Sequence, residues 1–326
     1  MQKKIKPQRF IWIDIMLTLL TLELMGYFYY GLRSVLMSGI CVAVSAVSEI
    51  VSLRLMGKKF TADDLTCVSD ALIIALMLPA AIDYRIAAIG SAFAVIAAKN
   101  VFGGRKNMIF SPAAAAYVFM MTSWKSQVLM FTKPHVHTDI FEKAADLASS
   151  ASHTFNTTGR MDYTDFEILM GNVIGPSGSV SILLLAVAAV ILIFRRDISS
   201  GAFIGTITGT ALLSILVPAA VDPADSLKYT LSANMILFAA IYIISDRRIA
   251  PEHNYYAFFY GFFIAAFSYI LIITTAKENA IIIFSVLFTP VALGFRNLEK
   301  RIEQVKREEE QVSVTESSGE EADSHE

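Results

Sequence analysis

The segment "IWIDIMLTLLTLELMGYFYYG", residues 11–31, decides the fold class. It follows a basic stretch, Met1–Phe10, and its only charged residues are Asp14 and Glu23. A helix of about 20 apolar residues is long enough to cross the hydrocarbon core of a bilayer. The segment is longer than the core of a secretory signal peptide and lacks an A-x-A cleavage site. It therefore predicts a first membrane-spanning helix that is retained.

The composition of the whole chain points the same way. Of its 326 residues, 55% are hydrophobic and 17% are charged, and the mean hydropathy is +0.56. Soluble globular proteins carry about 25% charged residues, so this chain is expected in a bilayer. The net charge is −2, and no basic block alternates with aromatic residues. A nucleic-acid partner is therefore excluded.

Motifs of hydrolytic and metal chemistry are missing from the sequence. It has no G-x-x-x-x-G-K-[ST] phosphate loop and no nucleophile elbow. The five histidines form no pair at i, i+4 spacing, so no metal site is predicted. Cys41 and Cys67 lack CxxC spacing. They are interpreted as small buried hydrophobes, with an iron–sulfur centre shared with a partner chain as the alternative.

Ten segments are long and apolar enough to be candidate spans. The sequence therefore predicts an all-α integral membrane protein with about ten transmembrane helices. The candidates are residues 10–31, 34–56, 66–82, 85–101, 109–124, 173–194, 200–219, 229–245, 255–275 and 279–295.

Lysine and arginine positions predict the orientation of these spans. With the N-terminus inside, most of the 27 basic residues fall in cytoplasmic loops, and every short loop agrees. Both termini are therefore expected in the cytoplasm, with the chain in the inner, cytoplasmic membrane. Two sets of five spans starting from opposite sides would form a five-plus-five inverted repeat. "SDALIIALMLP" (69–79) and "SANMILFAAIYI" (232–243) echo each other in the two halves.

This division predicts four regions along the chain. Residues 1–124 form the first transmembrane half, 125–172 an extracytoplasmic loop, and 173–296 the second transmembrane half. Residues 297–326 form a charged cytoplasmic tail, in which Leu298, Ile302 and Val305 have helical spacing. Its acidic end, "SVTESSGEEADSHE", is expected to be disordered because it has no apolar residues to form a core.

The predicted loop contains "DLASSAS", residues 146–152. It fits the pattern D-x-x-[ST]-x-A-[ST], which resembles the site where ApbE-type flavin transferases attach FMN through a phosphoester. On this match Ser152 is the acceptor hydroxyl, and Asp146, Ser149 and Ala151 form the recognition frame. Judged by residue types alone, the same stretch would be a solvated, flexible linker.

Four further stretches resemble the RnfD/NqrB family of ion-translocating electron-transport subunits, in the family's order and over roughly residues 60 to 290. They are "DLTCVSDALIIALMLP" (64–79), "AKNVFGGRKNMIFSPAAAAYVF" (98–119), "GNVIGPSGSVS" (171–181) and "LSANMILFAAIYIISDRRIAPEH" (231–253). The chain is identified as a divergent member of this family, similar to the RnfD subunits of Rnf-type ion-translocating electron transport complexes.

The divergence lies within those motifs. His153-Thr154 follows the flavin acceptor in place of Pro-Leu, and Ser179 replaces a glutamate. Asp70-Ala71 stands for the family's Thr-Gly. Ser245-Asp246-Arg247 stands for its Thr-Asp-Pro.

The resemblance implies a flavin-carrying membrane subunit that passes electrons through covalent FMN on Ser152 and couples this flow to Na+ or H+ translocation. It also implies a second, non-covalent flavin such as riboflavin. The implied partners are other Rnf- or Nqr-like membrane subunits, a protein with a flavinylated extracytoplasmic domain, and an ApbE-type flavin transferase. The chain would then be one subunit of an ion-translocating oxidoreductase rather than an enzyme alone.

Two other functions stay open at this point. One is a transmembrane electron relay to extracellular acceptors without ion pumping. The other is an inverted-repeat transporter or channel that lacks flavin.

The glycine pair Gly103-Gly104 has two interpretations. With Asn107 of the same family motif, and beside Arg105 and Lys106, it is a candidate for binding an anionic cofactor. Alternatively the glycines permit a turn before a helix that starts at Pro112.

Carboxylates at membrane depth are expected to have a function or a charged partner, because inserting each one costs about 2.5–3.5 kcal/mol on insertion scales. Glu23 and Asp70 lie deepest in their segments and are the candidates for a cation or proton path. Asp14 and Glu49 are expected to lie at helix ends or to pair with Arg9 or Arg54.

Overall fold

The computed structural model describes residues 8–104, 108–136, 140, 147–220, 222–302 and 304–305, and it is mostly helical. Before residue 125 the helices are α1 (Gln8–Tyr30), α2 (Leu32–Leu55), α3 (Thr66–Met77), α4 (Tyr84–Phe93) and α5 (Pro112–Ser123). After residue 181 they are α9 (Ile182–Phe194), α10 (Ser200–Leu216), α11 (Pro223–Ser232), α12 (Ile236–Ala239), α13 (Asn254–Thr275), α14 (Ala280–Leu287) and α15 (Thr289–Ile302). Two π-helical segments, Ala94–Asn100 and Ala240–Ile244, continue α4 and α12.

In the part of the chain that the structure describes, three helices are long and apolar enough to cross a membrane: Ile11–Tyr30, Leu32–Leu55 and Asn254–Thr275. Two bent pairs raise this number to five: Pro223–Ser232 with Ile236–Ile244, bent by 55°, and Ala280–Leu287 with Thr289–Ile302, bent by 44°. The helical membrane architecture expected from the sequence therefore agrees with the structure. The count of ten spans, the orientation and the inverted repeat stay predictions.

The span expected at 173–194 begins later, with α9 at Ile182. The preceding residues form a loop whose Ser177 and Gly178 backbone N–H groups donate to the carbonyls of Leu78 and Leu76 at 3.2 and 3.1 Å. The last carbonyls of a helix have no partner within it. The loop is therefore held outside the helix because it caps the C-terminal end of α3.

Helices α10 and α13 pack with their backbones in close contact. A Cβ atom added at Gly201, Gly205 or Gly261 would overlap backbone carbonyl oxygens of the facing helix. Small residues at four-residue spacing allow such close approach in membranes, where helices gain little from burying apolar surface against each other. Helix α10 also packs against α11 and against the π-helical segment Ala240–Ile244 that continues α12.

The segment between α5 and α9 contains α6 (Lys125–Val128), β1 (Phe131–Thr132) and β2 (Leu147–Ala148), which pair antiparallel, then α7 (Ala151–Thr158) and α8 (Asp165–Met170). Its own apolar cluster includes Phe155, Met161, Ile168 and Val173, packed with Ala233 from the end of α11. The described part of this segment is therefore folded, and α7 is held against the break between α11 and α12.

Helix α15 extends into the charged tail, as expected from the spacing of Leu298 and Ile302. Glu299 is 5% exposed. Its carboxylate accepts from the backbone N–H groups of Glu252 and His253 at 3.0 and 2.9 Å, next to the start of α13. The acidic end of the tail lies outside the described residues.

Candidate functional site

Ser152 is the second residue of α7, in the helix's first turn, and it is partly exposed. The helix begins there because the side chain of Ser150, its N-cap, accepts from the N–H of His153 at 2.9 Å. Within the predicted recognition frame, Ser149 is exposed and Ala151 is buried. Asp146 lies outside the described residues. The acceptor hydroxyl therefore lies at the surface of a short ordered helix.

The Ser152 hydroxyl is also held by a distant part of the chain. Its Oγ accepts from the backbone N–H of Asn234 at 2.9 Å. Asn234 and Met235 form the break between α11 and α12 and have φ values of 58° and 54°. The side-chain amides of Asn156 and Asn234 pair with each other at 2.6 and 3.1 Å. The sequence analysis missed Asn234, although asparagine is enriched in the left-handed conformation that such a break requires.

These residues fit a phosphoester on Ser152. A serine hydroxyl has one hydrogen and two acceptor sites. The Asn234 N–H uses one acceptor site, and the hydrogen, which an ester would replace, donates to none of the described residues. The first turn of a helix favours a negative group through the helix dipole. In α7 the N–H groups of Ala151 and His153 already donate to Ile174 and Ser150, so the dipole and not free donors would act on a phosphate. The fold leaves Ser152 partly exposed at this end of the helix.

Ser150 connects α7 to a buried acid that the sequence analysis did not single out. Its hydroxyl hydrogen-bonds to Oε2 of Glu278, in the turn between α13 and α14. Glu278 is 7% exposed. Burial raises the pKa of its carboxyl to about 7, although the Ser150 hydrogen bond acts in the opposite direction. The signal in the sequence was an acid directly before the apolar run of α14.

Asp70, a candidate for the ion path, lies in a buried ion pair. Arg248 Nη2 and Nη1 donate to its two carboxylate oxygens at 2.6 and 3.1 Å. The same guanidinium contacts Asp246 Oδ2 at 2.7 Å. This pair joins the start of α3 to the residues that follow α12. A role for Asp70 in ion movement stays a prediction.

Glu23, the other candidate, has hydroxyl partners among the described residues. Its carboxylate accepts from the Ser34 and Ser38 hydroxyls at 3.0 and 2.7 Å, so it connects α1 to α2. It is 6% exposed. The structure therefore does not bring Glu23 and Asp70 into one hydrogen-bonded site within the part of the chain that it describes.

The partner expected for Glu49 was wrong, whereas the side chain of Arg9, expected beside Asp14, lies outside the described residues. Glu49 accepts from Lys99 Nζ at 2.8 Å and from the Asn100 side chain at 3.1 Å, in place of Arg54. Asp14 pairs with Arg195 Nε at 2.8 Å. These contacts cross between helices, which the sequence alone does not show.

Gly103 and Gly104 end the π-helical segment with φ values of 101° and 78°. Their N–H groups donate to the carbonyls of Asn100 and Lys99, each at 3.1 Å, so they are already used by the chain. The geometry is that of a turn that requires glycine. Arg105, Lys106 and Asn107 lie outside the described residues, and the anion-binding interpretation stays a prediction.

Cys41 and Cys67 are buried free thiols. Among the described residues no group of three or more His, Cys, Asp or Glu side chains is arranged to hold a metal ion.

Comparison with known proteins agrees with the resemblance seen in the motifs. The sequence profile of the NQR2, RnfD, RnfE family matches residues 2–295. One relative, from Acetobacterium woodii, is named as the D subunit of a Na(+)-translocating ferredoxin:NAD(+) oxidoreductase complex. It is 28% identical over 240 residues, which cover 73% of this chain and 72% of that protein.

Two shorter matches are named as the D subunit of an ion-translocating oxidoreductase complex. The protein from Shewanella frigidimarina is 31% identical over 131 residues, covering 40% of this chain and 35% of that protein. The protein from Haemophilus influenzae is 30% identical over 123 residues, covering 35% and 34%. The chain thus aligns with about a third of each of these two relatives. Because the family profile matches nearly the whole sequence, the chain belongs to the NQR2, RnfD, RnfE family.

Proposed function

We propose that this chain is the flavin-carrying membrane subunit of an Rnf- or Nqr-like complex, which passes electrons through FMN on Ser152 and couples this flow to Na+ or H+ translocation. Family membership supports the electron-transport role, and the relative from Acetobacterium woodii is named as a subunit of a Na+-translocating oxidoreductase. The observation that carries the flavin assignment is the accessible Ser152 hydroxyl, fixed by Asn234 at 2.9 Å.

Covalent FMN would supply the redox chemistry, and the protein would supply its position and surroundings. Ser152 would hold the phosphate, and the first turn of α7 would stabilise its charge. The complex would also contain a second flavin such as riboflavin, other Rnf- or Nqr-like subunits and a flavinylated extracytoplasmic protein. An ApbE-type transferase would attach the FMN from outside the inner membrane.

The proposed architecture is two inverted halves of five spans with both termini in the cytoplasm. In this architecture α2, α3, α4 and α5 of the first half correspond to α10, α12, α13 and α14 of the second. The packing of helices supports it, because corresponding helices contact each other in the same pairs in both halves. Helix α2 packs on α4 as α10 packs on α13, and α3 packs on α5 as α12 packs on α14. In this arrangement the break at Asn234 lies in the second-half counterpart of α3.

For the ion path, the contacts favour Glu23 over Asp70. An acid paired with an arginine already has its counter-charge, and a second cation would have to displace it. Glu23 has two hydroxyl partners instead. Oxygen ligands of this kind suit a small hard cation or a proton.

The flavin assignment is tested by producing the full chain together with an ApbE-type transferase. After denaturing electrophoresis, the wild-type band should fluoresce under ultraviolet light. Ser152→Ala should remove the fluorescence, and Ser152→Thr should keep it because the hydroxyl remains. Thr157→Ala is the matched control, since it removes an exposed hydroxyl of the same helix outside the pattern. A dark wild-type band would contradict the assignment and favour a transporter without flavin. Fluorescence that persists in Ser152→Ala would contradict it by showing flavin attached at another residue.

Coupling is tested separately in proteoliposomes that hold the assembled complex. Electron transfer should be accompanied by Na+- or H+-dependent charge movement across the membrane. Electron transfer without charge movement would identify a transmembrane relay instead.

A further inference from the structure

One hydroxyl joins the helix that carries Ser152 to a buried acid on another part of the chain. Ser150 is 1% exposed, and its Oγ accepts from the His153 N–H at 2.9 Å, which closes the first turn of α7. The same Oγ hydrogen-bonds to Glu278. Any change in the charge of Glu278 therefore acts directly on the N-cap of α7.

Within the described residues, no cation contacts Glu278. Helix α5 brings the phenol of Tyr117 close to it, and the Tyr117 hydroxyl is buried without a described partner. The neighbouring Asn279 also has a buried, unpartnered Oδ1. Helix α14 carries no ionisable side chain, whereas Lys277 and His153 are exposed. The acid thus lies among neutral polar groups, and two of these have no hydrogen-bond partner among the described residues.

These surroundings make the ionised form of Glu278 costly. A buried carboxylate without a positive partner loses its hydration and gains little in return. Binding a proton removes that cost, which is why burial raises the pKa of Glu278 to about 7. The Ser150 hydroxyl acts in the opposite direction, because its hydrogen bond stabilises the carboxylate and lowers the pKa. By linkage, ionisation of Glu278 therefore strengthens the Ser150 contact, and uptake of a proton weakens it.

We propose that Glu278 binds and releases a proton and thereby positions α7, with Ser152 on it, through the Ser150 hydroxyl. The ionised acid holds the start of α7 in place, and the protonated acid releases it. The proton comes from water and returns to water, so no other reactant is needed. The consequence for a flavin on Ser152 rests on the proposed function, whereas the proton site itself does not.

The first experiment tests proton binding on the full chain without attached flavin, using dicyclohexylcarbodiimide, which reacts with protonated carboxyl groups in apolar surroundings. Peptide mass mapping after reaction at pH 5.5 to 8.5 should show labelling of Glu278 that declines across neutral pH. Ser150→Ala should move the midpoint to higher pH, because it removes the hydrogen bond that favours the carboxylate. Thr157→Ala, on the same helix, should leave the midpoint in place. Labelling that does not change with pH, or an unchanged midpoint in Ser150→Ala, would overturn the proposal.

The identity of the ligand is tested in the same reaction. Adding Na+ or K+ at constant ionic strength should not alter the labelling. Protection by Na+ alone would overturn the assignment of a proton and indicate a cation site.

The second experiment tests positioning by amide hydrogen exchange of the peptide that contains α7. The wild type should exchange more slowly than Glu278→Gln at pH 8, and the two should match at pH 5.5, where both side chains are neutral. Glu167→Gln is the control, because Glu167 is a partly exposed carboxylate that caps the neighbouring α8. Equal exchange of wild type and Glu278→Gln at pH 8 would overturn the positioning role. Neither experiment needs flavin, so a dark band in the fluorescence test would leave both outcomes interpretable.

Discussion

Two sets of buried carboxylates in this chain differ in what holds them. Glu49 and Asp70 pair with the basic side chains of Lys99 and Arg248. Glu23 and Glu278 are held by serine hydroxyls in the described part of the chain. All four are 7% exposed or less. The difference lies in charge balance and not in depth.

This difference separates structural acids from exchangeable ones. In a buried pair of an acid and a base, losing either charge leaves the other buried without a counter-charge. A serine hydroxyl can donate to a carboxylate or accept from a carboxylic acid, so it tolerates both states. The sequence shows how deep an acid lies in its segment, and this depth does not distinguish the two sets. The side chains that contact each carboxylate distinguish them.

The strongest test of this comparison is Arg248→Ala. It leaves Asp70 and Asp246 buried without their shared cation, and removing one partner of a buried pair costs about 3–5 kcal/mol. Thermal unfolding in detergent should show a large loss of stability. Arg247→Ala is the matched control, since Arg247 is exposed and donates to one backbone carbonyl at 3.4 Å. Similar stability of the two variants would remove the distinction between the two sets.

The second test is the pH dependence of stability that Glu278 contributes. Its pKa is about 7 in the folded protein, above its ordinary value of 4.5. The folded state therefore binds the proton more tightly, so this contribution is complete below pH 4.5 and is lost as the pH rises through 7. The loss amounts to roughly 3 kcal/mol, since one pKa unit corresponds to 1.36 kcal/mol.

Melting temperatures measured from pH 5 to pH 8 would show this effect. The wild type should lose more stability over this range than Glu278→Gln, whose amide does not titrate there. Parallel profiles for the two proteins would show that Glu278 is ionised throughout and belongs with the paired acids.

The helices could be predicted because their signal is local. The span expected at 255–275 is observed as Asn254–Thr275. The segment expected at 200–219 is observed as the apolar helix Ser200–Leu216, which is shorter than the candidate spans. The four-residue spacing of Gly201, Gly205 and Gly209 was also readable as a packing motif, although the sequence analysis did not use it. Hydrophobic length and glycine spacing are properties of one segment.

The contacts of the candidate site could not be predicted because they join distant segments. Ser152 and Asn234 are 82 positions apart, Ser150 and Glu278 are 128 apart, and Asp70 and Arg248 are 178 apart. The residue type at each position is known from the sequence, but which segments meet is not. The late start of α9 has the same cause, since the loop before it caps a helix about a hundred residues earlier.

The smallest effect on stability is expected for Glu23→Gln. A glutamine amide can still hydrogen-bond to Ser34 and Ser38, and no cation is left without a partner, so the free energy of unfolding should change by less than about 1 kcal/mol. The double variant Ser34→Ala/Ser38→Ala should cost more, about 1–3 kcal/mol, because it leaves the carboxyl unsatisfied. Thermal unfolding in detergent should show a smaller loss of stability for Glu23→Gln than for the double variant.

Glu23→Gln also separates stability from ion movement. If Glu23 lies on the proposed ion path, the variant should keep electron transfer and lose charge movement in proteoliposomes, because an amide can neither take up a proton nor supply a negative charge for a cation. Glu167→Gln, which replaces a partly exposed acid, should keep both electron transfer and charge movement. Charge movement that persists in Glu23→Gln would exclude Glu23 from the path. Hydroxyl partners would then identify an acid whose charge can change, but they would not identify an acid on the ion path.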